Sequence, residues 1–153
     1  MIKSLVSVTL LVAVMLTFCA CSNEKLLVME EFSRVVSFQM DDVSVKGQLH
    51  YKGKDDISFT VIEPESLSGV VFTEGEVKKD EVGINYSKLR DKSPVYLLIS
   101  AVKSTAESEI YLPDRGEYTF SGVTSSAEYK IKINCENNEI ISIEIGKFTY
   151  IFE

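Results

Sequence analysis

The run "YKIKINCENNEIISIEIGKFTYIF", Tyr129 to Phe152, reads as three strands joined by two turns. Tyr129, Ile131, Ile133 and Cys135 alternate with Lys130, Lys132 and Asn134. Ile141, Ile143 and Ile145 follow, and Phe148, Tyr150 and Phe152 close the chain. Successive side chains of a strand point to opposite faces, so this period of two marks a sheet with one apolar face and one wet face. "ENNE" from Glu136 supplies residues that tolerate the positive φ of a hairpin turn. Connections this short join only antiparallel neighbours.

The same pattern runs back through the chain. Val36, Phe38 and Met40 alternate with Ser37 and Gln39. Val43, Val45, Leu49 and Tyr51 alternate with Ser44, Lys46, Gln48 and His50. Ile57, Phe59 and Val61 form a third set. Val70 with Phe72, Val82 with Ile84 and Tyr86, and Tyr118 with Phe120 mark further strands. "YKGKDD" from Tyr51 and "TEGEVKKDE" from Thr73 read as turns. Leu26, Leu27, Met29 and Phe32 are read as a short helix, with a first strand as the alternative.

One segment breaks the alternation. In "SPVYLLISAVKSTAESE", Ser93 is placed to cap a helix and Pro94 to open it. Val95, Leu98, Ile99 and Val102 then share one helical face, widened by Tyr96 and Leu97. "YLPDRGEY" from Tyr111 returns the chain to the sheet. The expected fold is mainly β (α+β): a curled antiparallel meander, or half-barrel, of about eight or nine strands around one or two helices. Its concave face would carry Phe38, Met40, Leu49, Phe59, Val61, Phe72, Ile84, Tyr118, Phe120, Ile131 and Ile133, with Leu98, Ile99 and Val102 of the helix against it. Such a face is either an apolar ligand site under incomplete cover or a filled core.

The N-terminus fixes the expected compartment. Lys3 precedes a run from Leu5 to Phe18 interrupted only by Ser7, Thr9 and Thr17. A basic start, a short apolar stretch and small residues at its end make a secretory signal, and the run is shorter than the ~20 residues of a membrane span. "LTFCACSNEK", Leu16 to Lys25, resembles the lipobox of bacterial lipoproteins. Cys21 fits the modified position, with small Ala20 before it, and Cys19 would leave with the signal. The resemblance implies an acylated Cys21, a leader over 1–20, a lipidated tether over 21–25 and one domain over 26–153. It also implies anchoring to the bacterial cell membrane, and to the outer membrane in a Gram-negative host.

A second resemblance covers most of the mature chain. "FTVIEPESLSGVVF", Phe59 to Phe72, places Pro64, Ser66 and Gly69 after an apolar strand. "INYSKLRDKSPVYLLISAV", Ile84 to Val102, runs from strand through polar turn to helix. Both are similar to the LolA/LolB-like lipoprotein-localisation superfamily. That resemblance implies a half-barrel that holds lipid or acyl chains in its concave face.

Composition bounds the rest. The formal net charge is −7, and loss of Lys3 with a leader makes it one more negative. An acidic surface repels nucleic acid and anionic headgroups, so no nucleic-acid partner is expected. Of three cysteines, only Cys135 lies beyond Cys21, which leaves no internal disulfide. His50, the single histidine, falls on the polar face, where it should be exposed. Asp41-Asp42, Asp55-Asp56 and Glu63/Glu65 fall in turns, where solvated carboxylates are the rule. No catalytic constellation, metal site or cofactor is expected. The remaining expectations are a lipid or apolar-ligand binding lipoprotein, or an envelope interaction lipoprotein with a filled core and a protein partner.

Overall fold

A computed structural model describes residues 24–80, 82–85 and 93–153, with only the backbone at 84 and 85. The described chain is mainly β. Strands β1 (Lys25–Leu26), β2 (Phe32–Met40), β3 (Val43–Gly53), β4 (Asp56–Glu63), β5 (Val71–Phe72), β6 (Glu76–Lys79) and β7 (Val82–Asn85) precede the helix α1 (Pro94–Glu107). Strands β8 (Tyr111–Leu112), β9 (Glu117–Val123), β10 (Glu128–Asn134), β11 (Glu139–Ile145) and β12 (Phe148–Phe152) follow it.

Ten strands form one antiparallel sheet in the order β7-β6-β5-β4-β3-β2-β12-β11-β10-β9, and β1 pairs with β8 in a separate two-stranded sheet. The large sheet is thus two meanders, before and after α1, joined where β12 lies against β2. Val36 opposes Phe152 and Ser37 opposes Ile151. The Glu153 N–H donates to the Val35 carbonyl at 2.9 Å.

The alternation read from the sequence is the alternation observed in β2, β3, β4 and β10. Val36, Phe38, Val45, Leu49, Tyr51, Ile57, Phe59, Val61, Ile131 and Ile133 are all buried. The turns use the expected residues: Asp41, Asn138 and Gly146 have φ of 51°, 59° and 58°. Four expectations change. Residues 26–32 hold no helix; Lys25 and Leu26 pair with Leu112 and Tyr111 instead, so strand β1 begins inside the expected tether. The turn read from Thr73 contains β6, whose single inward apolar residue, Val77, pairs with Phe72 and Ile84. The strand count therefore exceeds the eight or nine expected. Where β10 pairs with β11 the register shifts between Lys132 and Ile133, so that Ile140 opposes Ile133 while Ser142 opposes Lys132. The extra residue of this bulge is Ile141, which is half-buried, and Ile140 takes the core position.

Helix α1 begins as its sequence dictates. The Tyr96 N–H donates to the Ser93 hydroxyl at 3.4 Å, and Pro94 occupies the first turn. The whole expected face is buried, Val95, Tyr96, Leu97, Leu98, Ile99 and Val102, and burial extends beyond it to Ala101 and Thr105. Inside the core, the Thr105 hydroxyl donates to the Ala101 carbonyl at 2.8 Å and lies 3.0 Å from the Tyr129 hydroxyl. The helix touches β4, β9 and β11.

A glycine in mid-strand marks how tightly this face is packed. A Cβ on Gly47 of β3 would strike the ring of Phe59 and stand 2.6 Å from the Thr60 carbonyl oxygen. The backbone oxygen cannot swing away as a side-chain tip can. Gly47→Ala is therefore expected to cost about 3 kcal/mol through overpacking, read as a lower urea midpoint at unchanged slope.

Candidate functional site

The expected ligand face is brought together by the fold. Phe38 of β2, Leu49 of β3, Phe59 and Val61 of β4, Ile131 and Ile133 of β10, and Leu98, Ile99 and Val102 of α1 lie in one hydrophobic cluster, each at most 4 % exposed. Met40, Phe72, Tyr118 and Phe120 are partly buried against its margin. The side chain of Ile84, like all of Cys21, lies outside the described residues. Rings interlock across the cluster: the centroids of Phe38 and Phe59 are 6.2 Å apart, and those of Phe38 and Tyr150 are 5.0 Å apart.

Exposure decides what this face can hold. Leu49, Phe59, Leu98, Val102, Ile131 and Ile133 have 0 % accessible surface. A void able to admit water would leave measurable area on the side chains that line it. These six have sheet or helix atoms on every side. The expected ligand face left out several members of the same cluster, among them Tyr129, Ile143, Ile145, Tyr150 and Phe152. All five carry the period-two signal quoted at the outset.

Tyr150 ties the helix start to the sheet. Its hydroxyl donates to the Pro94 carbonyl at 2.8 Å. Burial pushes its phenol well above the usual range, and burial pushes Tyr51 in the same direction. Folding therefore opposes ionisation of these phenols. The linked stability is intact below the unfolded value of about 10 and is lost as pH rises from there toward the folded value. An alkaline titration followed by far-ultraviolet circular dichroism should show cooperative unfolding above about pH 10. Tyr150→Phe should move that loss to higher pH while costing about 1 kcal/mol at neutral pH for the lost hydrogen bond.

Open space lies at the margins. One cavity of about 220 Å³ has Met29, Phe32, Ile140 and Phe152 as apolar walls, with Arg34, Asn138 and Glu139 as polar ones. Arg34 Nε donates to the Glu153 carbonyl at 3.2 Å, and Nη1 stands 3.4 Å from Glu139 Oε2. Asn138 Oδ1 is buried there with no hydrogen-bond partner among the described residues. A second cavity of about 200 Å³ lies between the Lys54–Ile57 and Thr73–Gly75 segments, and of the expected ligand residues Ile99 borders it. Lys103 reaches across to Glu74 at 2.8 Å, and that hydrogen bond holds its ammonium above the ordinary lysine value. An open groove follows β9 and β10 past Gly122.

On the outer face, His50 is half-buried rather than exposed. Gln48 Nε2 donates to Ser33 Oγ at 2.9 Å, and Ser33 Oγ lies 2.8 Å from His50 Nδ1. A Ser–His pair works as a nucleophile when a third group orients the base. Among the described residues no carboxylate bonds His50. Cys135 is fully buried and behaves as a small apolar side chain. No group of three His, Cys, Asp or Glu among the described residues is arranged to hold a metal ion. Comparison of the chain with family models, curated proteins and solved structures finds no match.

Proposed function

We propose that this chain is an exported bacterial lipoprotein, held at the envelope membrane through acylated Cys21, whose domain is an interaction module with a filled core. In a Gram-negative host that membrane is the outer one. The domain is read as a LolA/LolB-like half-barrel: α1 touches β4 together with β9 and β11, which stand far apart in the strand order. One helix reaches all three only if the sheet curls around it. The observation that carries the filled-core reading is the complete burial of Leu49, Phe59, Ile131 and Ile133 on the sheet and of Leu98 and Val102 on the helix. A packed interior leaves the surface as the working part, and the acidic charge favours a protein partner over nucleic acid.

The competing reading is a lipid or acyl-chain carrier. It is favoured by the 220 Å³ cavity, whose apolar walls Phe32, Ile140 and Phe152 continue into the core. It requires α1 to move off the sheet before a long chain can enter. The two readings part on one experiment: organic extraction of the purified chain, followed by titration with a fluorescent fatty acid. The interaction module yields no extractable lipid and no saturable uptake, and it crosslinks to an envelope protein in intact cells. One equivalent of extracted lipid, or saturable uptake, overturns it in favour of the carrier.

A further inference from the structure

Strand β1 pairs with β8 outside the large sheet, with Leu26 directly opposite Tyr111. Opposed residues of an antiparallel pair share a face. Leu27, Ile110 and Leu112 turn inward and are buried, and the Leu27 N–H donates to the Ile110 carbonyl at 2.7 Å. The outward side is apolar as well: Leu26 is 46 % exposed, Val28 60 % and Tyr111 54 %. Single exposed apolar residues are common on protein surfaces. Leu26 and Tyr111 oppose each other on the ribbon's outer side, Val28 follows two residues after Leu26, and exposed apolar residues grouped in this way mark a contact surface.

We infer that Leu26, Val28 and Tyr111 rest on the bilayer that holds the anchor. The inference builds on the reading of Cys21 as the lipidated residue. Cys21 precedes Leu26 by five residues, a reach of at most about 18 Å for extended chain. The acyl chains therefore hold the ribbon beside the headgroups, where a lipid surface is the nearest apolar phase. The chemistry of the patch suits that boundary: two aliphatic side chains to enter it, and a tyrosine whose ring is apolar and whose hydroxyl stays wet. Glu24 and Glu109 are exposed nearby in sequence, so the surface selected is zwitterionic rather than anionic. The domain is thereby oriented, with the ribbon toward the membrane.

The chain contains no tryptophan, so one can be introduced as the sole reporter. Tyr111→Trp and Leu26→Trp place it in the patch. Ile151→Trp places it on β12, opposite Ser37. Each full chain is purified from bacterial membranes and checked by intact mass. It is then reconstituted into phosphatidylcholine vesicles with or without brominated acyl chains. Side chains at the headgroup–acyl boundary lie about 5–10 Å deep, so bromine should reduce emission of the two patch variants by about half. The Ile151→Trp emission should be unchanged. An acylated chain whose patch variants are not quenched, or are quenched no more than Ile151→Trp, overturns the inference and leaves the anchor standing. A chain without the acyl mass overturns the anchor reading, and the orientation with it.

Discussion

Phe59→Glu unfolds the domain. The ring of Phe59 has no exposed surface; it lies beside Phe38 and over Gly47, on β4, a strand that touches α1. Replacing it removes a large apolar side chain, which alone costs about 3–5 kcal/mol in a packed core. The carboxylate must in addition be buried without a partner or drive water into the cluster, at a further penalty of several kcal/mol. A domain of this size is stable by about 5–15 kcal/mol, so the sum takes most or all of it. Phe59→Leu keeps much of the volume and leaves a folded protein with a modest loss. Circular dichroism melts of the two variants check this pair of outcomes. A folded Phe59→Glu protein with a near-native melting temperature would mean that the ring faces usable space, as a carrier requires.

Cys21→Ser is expected to abolish the lipid anchor. A single acyl chain gives marginal, reversible binding, whereas two chains make a stable anchor, at about 0.8 kcal/mol per buried methylene. Serine keeps the size of the cysteine but offers no thiol for a thioether. The net charge is acidic, which does not favour anionic headgroups, and no described helix is long and apolar enough to cross a membrane. The three-residue patch on β1 and β8 orients the domain and is too small to hold it. Fractionation should find the variant released or retained as uncleaved precursor, while Cys19→Ser fractionates like the parent. Membrane retention of a processed Cys21→Ser chain would place the anchor elsewhere.

Much of the sheet was legible because its code is local. In β3 and β10 each apolar residue is followed by a polar one, β2 and β4 depart from this only at Val35-Val36 and Val61-Ile62, and the inward set can be counted off by twos. Ser93 and Pro94 announced α1 for a similar reason, since a cap and a fixed φ act within one turn. What escaped notice depends on distant partners. Leu26, Leu27 and Val28 are three apolar residues in a row at the end of β1 and just beyond it, so no alternation separated strand from helix. Strand β6 has one inward apolar residue, Val77, flanked by charges. Ile141 matched the period as well as Ile140 did, and the bulge opposite Ile133 chose between them. The pairing of β12 with β2 joins residues more than a hundred positions apart, and no local pattern carries it. Whether the inner face was open or filled was likewise illegible. The residue types are the same in both cases, and the zero exposure of Leu49, Phe59 and Ile131 belongs to the assembled fold.

Native mass spectrometry of the full-length protein, released gently from bacterial membranes, tests the account most directly. It weighs the covalent chain and anything held inside it in one spectrum. The account predicts a mature chain beginning at Cys21, carrying covalent acyl mass, with no further lipid released on collisional activation. A chain that retains a stoichiometric lipid until it unfolds would contradict the filled core. A chain beginning elsewhere without acyl mass would contradict the anchor.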